Sequence, residues 1–284
     1  MSVRDTAVAT LGLMQRFTPR LAIEAAYVLW LSSGLPKQVH PREQSVIDGA
    51  TRSTIRVNGN RIAVYTWGDG PNSVLLTHGW HGRAAEFGDI VHELRRDDRT
   101  IIAFDAPGHG RSRGRLPDVR DFAAAIEMLG EQYGPFEAMV AHSFGNLAAT
   151  LAIRNGTQTG RLVSIGGVAE LRYVVTSVSG VMQLNPRTLD GLIQRIERRR
   201  FSTVPDFWNS LSATAAPLDV PLLIIHDRDD TWVPYGQAEL LAAAHPENSR
   251  TLLTSGLNHH RVMRDQQVLD AISRFLGEAD TSAA

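Results

Sequence analysis

The chain has 284 residues, 29 basic against 30 acidic side chains, a net charge of −1 and no cysteine. The near-zero balance gives no support to nucleic acid or acidic membranes as partners. The absence of cysteine removes thiol chemistry, disulfides and thiolate metal sites.

Thr18-Pro19 reads as a helix start, with proline at the first helical position. Ile23, Tyr27, Trp30 and Leu31 then recur at near-helical spacing, and Gly34 and Pro36 supply the stop. Residues 1–50 are therefore expected to form a helical N-terminal extension. A helix packed on the flank of the main domain is the preferred reading. A lid element, a membrane-surface contact and a homodimer contact stay open. The apolar stretch 21–31 is interrupted by Glu24 and is shorter than the roughly 20 residues of a membrane span. No small-residue cleavage site follows it. A cytoplasmic location is the expectation.

Asn58-Gly59, set between Ile55/Val57 and Ile62/Val64, predicts a β-hairpin, since both turn residues tolerate positive φ. From residue 73 onward apolar strands alternate with helical segments. Val74–Thr77, Thr100–Phe104, Phe136–Val140, Leu162–Ile165, Pro221–His226 and Arg250–Thr254 read as strands, and Val119–Leu129 as a helix. Near-continuous apolar strands in alternation with helices imply a parallel sheet covered on both faces.

Residues 168–218 break the alternation. Leu171, Val174, Val175 and Val178 fall at i, i+3, i+4 and i+7, as do Leu189, Leu192, Ile193 and Ile196, with Asn185-Pro186 capping the second helix. Arg195, Arg198, Arg199 and Arg200 are read as a solvated face rather than an anion clamp.

Ala141-His142-Ser143-Phe144-Gly145 sits between an apolar strand and a helix. Small residues on both sides permit a sharp strand-to-helix turn, which lifts the serine hydroxyl above the sheet edge. Asp227-Arg228-Asp229-Asp230 follows a later strand, and Gly256-Leu257-Asn258-His259-His260 follows the last. The order Ser, Asp, His, with acid and base about 30 residues apart, is that of a nucleophile-elbow hydrolase.

With these segments and Asp105-Ala106-Pro107-Gly108-His109-Gly110-Arg111-Ser112, residues 50–278 resemble the α/β-hydrolase superfamily, in particular its bacterial serine-esterase-like members. The resemblance implies an α/β fold, with a mostly parallel twisted sheet, helices on both faces and a helical cap insertion. The core would comprise 51–167 and 219–278, the cap 168–218, and 279–284 a disordered tail. It implies Ser143 as nucleophile, His259 as general base and Asp230 as the acid that orients it. Backbone N–H groups of Trp80 and Phe144 would form the oxyanion hole. The family pattern Gly-x-x-Asp-x-x-Val-Pro selects Asp230 over Asp227 and Asp229, although Asp227 stands where that pattern has glycine. The Gly-Leu-Asn-His spacing selects His259 over His260. His142 is expected to support the site, and His78 and His109 to brace their turns; Ser112 lacks an elbow. Met182, Leu184, Phe207 and Trp208 are the expected pocket residues under the cap.

The expected activity is hydrolysis of a carboxylic ester on a small-molecule acyl substrate, with no cofactor and no metal. A thioesterase, a carbon–carbon hydrolase and a perhydrolase would use the same constellation. A slow receptor or scaffold on the same fold is the alternative from another class.

Overall fold

The computed structural model describes residues 3–32, 39–95, 98–114 and 117–278. The Gly34–Pro36 helix stop and the expected tail at 279–284 lie outside the described residues. Three helices open the chain: α1 (Val3–Phe17), α2 (Pro19–Leu31) and α3 (Pro41–Asp48). Thr18 does not cap α2 with its side chain; its hydroxyl donates instead to the Met14 carbonyl at 3.4 Å. The hairpin follows as β1 (Thr51–Val57) and β2 (Asn60–Trp67), with Ile55 opposite Ile62. Asn58 and Gly59 take φ of 47° and 77° at its turn, the double positive φ that a two-residue hairpin with native twist requires.

The alternating part runs β3 (Asn72–Thr77), α4 (Gly88–Leu94), β4 (Arg99–Phe104), α5 (Val119–Tyr133), β5 (Ala138–His142), α6 (Gly145–Arg154) and β6 (Leu162–Ile165). Three helices then interrupt it, α7 (Leu171–Val181), α8 (Pro186–Ile196) and α9 (Phe207–Ser210), with a wider helical turn at Glu197–Phe201. The chain closes with β7 (Leu222–Asp227), α10 (Gly236–Ala244), β8 (Ser249–Thr254), α11 (Asn258–Arg261) and α12 (Gln266–Gly277). The strands form one eight-stranded sheet in the order β1-β2-β4-β3-β5-β6-β7-β8. β2 runs antiparallel to both its neighbours, and every pairing from β4 to β8 is parallel.

Burial explains the strand composition. Val74, Leu75, Leu76, Ile101, Ile102, Met139 and Val140 have no exposed surface, because helices cover both faces. On one face Leu75, Ile102 and Met139 pack with residues of α2, α5, α6, α7 and α8. On the other, Val74, Leu76 and Val140 pack with α4 and α12. The parallel strands all end at one edge, so the loops after Thr77, His142, Ile165, Asp227 and Thr254 meet there.

α7–α9 are tied to the main domain and to the N-terminal helices. Asn185 caps α8, its Oδ1 accepting from the Thr188 N–H at 2.9 Å. α2 packs along α8 so closely that a Cβ on Gly191 would come within 2.3 Å of Ile23 Cδ1. An Arg195–Glu24 ion pair bridges the same two helices. Arg200 reaches Asp118 at 2.6 Å at the start of α5. Burial pushes the Asp118 carboxyl up, but hydrogen bonds and charge from Arg120 and Arg200 outweigh it and hold it below the usual range. Arg195 and Arg200 therefore serve as struts between elements, while Arg198 and Arg199 are exposed.

Two buried histidines brace the turns under this edge. His78 Nδ1 donates to the Gly79 carbonyl at 2.7 Å, and its Nε2 accepts from the Ala106 N–H at 2.9 Å. A proton on Nε2 would face another N–H, and burial with this geometry lowers the ring to about 4. His109 Nδ1 donates to the Pro107 carbonyl at 2.9 Å, and burial first, then nearby His78, lowers it to about 3. Unfolded histidines take up a proton below about pH 6.5. Between that value and the folded values the unfolded state holds more protons, so stability must fall as pH falls. We expect a loss approaching about 1.4 kcal/mol per pH unit for each ring. Thermal melts from pH 7 to 5 should show it, and His109→Gln should make the slope shallower. A melting temperature flat over that range would refute the neutral, buried assignment.

Candidate active site

The site begins at the junction of β5 and α6. Ser143 has φ of +57°, a left-handed conformation that costs a non-glycine residue about 1–3 kcal/mol and persists only where the surroundings enforce it. Two bonds enforce it. The Ser143 N–H donates to Ile165 at 3.0 Å, and the Ser143 carbonyl accepts from Val168 at 3.1 Å. Both come from the end of β6. Gly145 lies against β3, where a Cβ would fall 2.5 Å from the Thr77 carbonyl oxygen and 2.8 Å from that of His78. Gly79 lies against Ser143 itself, with 2.7 Å between an added Cβ and Ser143 Cβ. The loop after β3 thus passes the serine at a distance that only glycine permits.

That approach sets two backbone donors beside the serine. Trp80 follows Gly79, and Phe144 follows Ser143. Among the described residues neither N–H has a hydrogen-bond acceptor. Both residues line the same cavity as Ser143. Their rings meet edge to face at 5.1 Å, and each also packs on Phe122 of α5.

Asp230 and His259 approach from the loops after β7 and β8. His259 Nδ1 donates to Asp230 Oδ2 at 2.7 Å. Asp230 Oδ1 accepts from the N–H groups of Trp232 and Val233 at 2.8 and 2.9 Å. Burial pushes the Asp230 carboxyl up. The hydrogen bond and charge of His259, followed by the two backbone donors, outweigh it and hold the carboxyl below its ordinary value. Nδ1 is thereby committed to Asp230, and Nε2 is the remaining nitrogen. His259 and Ser143 line one cavity. Among the described residues no hydrogen bond joins them.

The neighbouring candidates fall into other roles. Among the described residues no hydrogen bond joins His259 to Asp227. Its Oδ1 accepts from Asp229 and Asn258 N–H at 3.1 and 3.0 Å, and its Oδ2 from the Thr254 hydroxyl and Leu257 N–H at 2.7 and 3.0 Å. It clamps the loop that delivers His259. Asp229 accepts from Gly256 N–H at 2.7 Å in the same loop. His142 Nε2 donates to the His259 carbonyl at 3.0 Å, and burial, with the charges of His259 and His260, holds the ring well below its ordinary value. His260 is exposed and borders the cavity. Ser112 donates to the Asp105 carbonyl and accepts from Ala63 N–H at 2.8 Å, a turn brace.

A cavity of about 1230 Å³ opens over Ser143. Of the four pocket residues expected from sequence, Met182 lines it. Leu184, Phe207 and Trp208 require correction, since they are not among its walls. Phe207 is buried inside the cluster of α7–α9, stacked on Phe201 at 4.6 Å and tilted against Trp208 at 4.3 Å. The Arg172 guanidinium covers the Trp208 ring at 4.9 Å. The walls come instead from α7 (Val174, Val178), from Phe201 and from the N-terminal helices (Val8, Leu11, Leu29, Trp30).

Two residues near the pair carried no sequence signal. Trp232, 62% exposed, lies parallel to the His259 ring at 6.1 Å and 12°. The Tyr173 hydroxyl on α7 donates to the Trp232 carbonyl, joining that helix to the loop that holds Asp230. Among the described residues no group of three or more His, Asp or Glu side chains is arranged to hold a metal ion. No described helix is long and apolar enough to cross a membrane.

Comparison with known proteins agrees with this architecture. Residues 74–271 match the model of the alpha/beta hydrolase family. Human serine hydrolase BPHL is 24% identical over 243 residues, spanning 75% of this chain and 82% of the relative. The non-heme haloperoxidase of Rhodococcus erythropolis is 23% identical over 250 residues, spanning 71% and 90%. The crystal structure of the Pyrococcus furiosus esterase Pf2001 superposes with a TM-score of 0.61 at 17% identity, covering 85% of this chain and 94% of that one. The chain belongs to the alpha/beta hydrolase family and is an enzyme of the hydrolase class.

Proposed function

We propose that the protein is a serine hydrolase that cleaves a carboxylic ester through an acyl-enzyme on Ser143. The observation that carries this reading is the Asp230–His259 hydrogen bond of 2.7 Å at the same cavity as a strained serine and two unengaged backbone N–H groups. The similarity to a human serine hydrolase supports it.

His259 Nε2 removes the hydroxyl proton as Ser143 Oγ attacks the ester carbonyl carbon, because a serine is weakly nucleophilic until a base assists it. The Nδ1–H stays on histidine, and the ionised Asp230 stabilises the imidazolium without taking its proton. The carbonyl oxygen becomes an oxyanion that accepts from the Trp80 and Phe144 N–H groups. One such donor is worth roughly 10²–10³-fold in rate. His259 then protonates the departing alcohol. Water, deprotonated by the same nitrogen, attacks the acyl carbon, releases the acid and returns the proton and bond to Ser143.

Two tests follow. A fluorophosphonate probe should label wild type on Ser143, and Ser143→Ala should lose the label and roughly 10⁴–10⁶-fold of kcat. Labelling that persists in the alanine variant would sink the assignment. The two buried aspartates should separate by readout. Asp230→Asn should cost on the order of 10⁴ in kcat, since the amide favours the wrong histidine tautomer. Asp227→Asn should act on stability, by about 1–3 kcal/mol, because an amide cannot accept all four bonds without turning a donor toward a donor. A larger kcat loss in Asp227→Asn than in Asp230→Asn would reverse their roles.

A further inference from the structure

The cavity above Ser143 is larger than the roughly 300–1,000 Å³ that holds most small ligands, and the chemistry of its walls is uneven. Next to the serine stand the polar groups His142, His259, Thr231 and the two backbone donors. Away from it the walls are hydrocarbon. Val8 and Leu11 of α1, Leu29 and Trp30 of α2, and Val174 and Val178 of α7 supply apolar lining. The ionisable side chains among the described lining residues are Glu86, Asp118, Tyr173 and histidines; no arginine or lysine is among them. This is notable in a chain with 29 basic residues. Two arginines of the α8 region are engaged in ion pairs, Arg195 with Glu24 and Arg200 with Asp118. A phosphate-bearing or carboxylate-bearing substrate would meet no arginine or lysine among the described walls, and the two arginines beside Asp118 are already engaged by its carboxylate.

We infer that the substrate is an uncharged ester with a long hydrocarbon arm, and that the paired N-terminal helices form part of the wall of the channel holding that arm. This rests on the reaction proposed above for Ser143. The cavity volume exceeds what a short acyl group fills. Its apolar walls reward each added methylene with burial, at about 0.8 kcal/mol, or about fourfold in kcat/KM. The wall role assigns the N-terminal helices a part in specificity that a flank-packed extension would not have.

The test has two readouts. In the first, wild type is assayed on ethyl esters of acids from two to sixteen carbons, and on acetate esters of alcohols over the same range. kcat/KM should climb severalfold per added methylene over part of one series and then level off. Val8→Trp and Val178→Trp, which fill the channel from α1 and from α7, should each lower the long-to-short ratio at least tenfold. In the second readout, Ser143→Ala is titrated with ethyl decanoate and with decanoate anion. Trp30, Trp80 and Trp232 line the cavity, so tryptophan fluorescence reports binding. The neutral ester should bind at least tenfold more tightly than the anion. Flat profiles in both series, or equal binding of ester and anion, would overturn the inference. Short esters turned over with a flat profile would leave the Ser143 reaction standing and remove the channel. Binding of the neutral ester without turnover of any ester would keep the channel and remove the reaction.

Discussion

A side chain at residue 145 has no space to occupy. The start of α6 presses on the Thr77 and His78 carbonyls, and the loop after β3 presses on Ser143. From these close contacts the rest of the site follows. The tight packing brings the free N–H groups of Trp80 and Phe144 to the serine, forces its left-handed backbone and seats it between the ends of β3 and β6. Backbone approaching backbone at this distance leaves little freedom for adjustment, because packed interiors tolerate added volume poorly. The two neutral histidines below, His78 and His109, hold the turns from which the loops depart. The polar architecture of the edge is therefore rigid, and it is made by main chain as much as by side chains.

The parts of this arrangement that were readable in the sequence are those written locally. Strands fully buried on both faces read as apolar runs, and Asn58-Gly59 announced its hairpin because only a few residues accept its φ values. Ser143, Asp230 and His259 each follow a strand in segments with their own residue chemistry; the structure brings Ser143 and His259 to one cavity and joins Asp230 to His259 by a hydrogen bond. The choice between Asp227 and Asp230 was not local. Both carboxylates are buried and both accept several hydrogen bonds, and only the fold reveals that one holds the loop and the other the imidazole.

The cavity walls were illegible for a different reason. An apolar stripe states that a face is buried and not what buries it. Phe207 and Trp208 satisfied their need for burial by stacking among α7–α9, with Phe201 and Arg172 as partners. The wall they were expected to form came from Val8, Leu11, Leu29 and Trp30, more than a hundred residues earlier in the chain. No periodicity within a single segment carries that information. The same holds for Tyr173 and Trp232, whose bond links α7 to the loop that carries Asp230 and exists only in three dimensions.

The packing of α2 on α8 also has a consequence for biosynthesis. Ile23 emerges from the ribosome long before Gly191, the residue whose missing side chain makes room for it. About 170 residues of synthesis separate them, which at typical elongation rates is on the order of 10–30 s. Through that interval Ile23 has no α8 to pack against, and Ala22, Ala26 and Leu31 of the same helix, all buried in the finished protein, wait with it. The first two helices are thus waiting elements, whose apolar faces complete their packing only once α8 has been made.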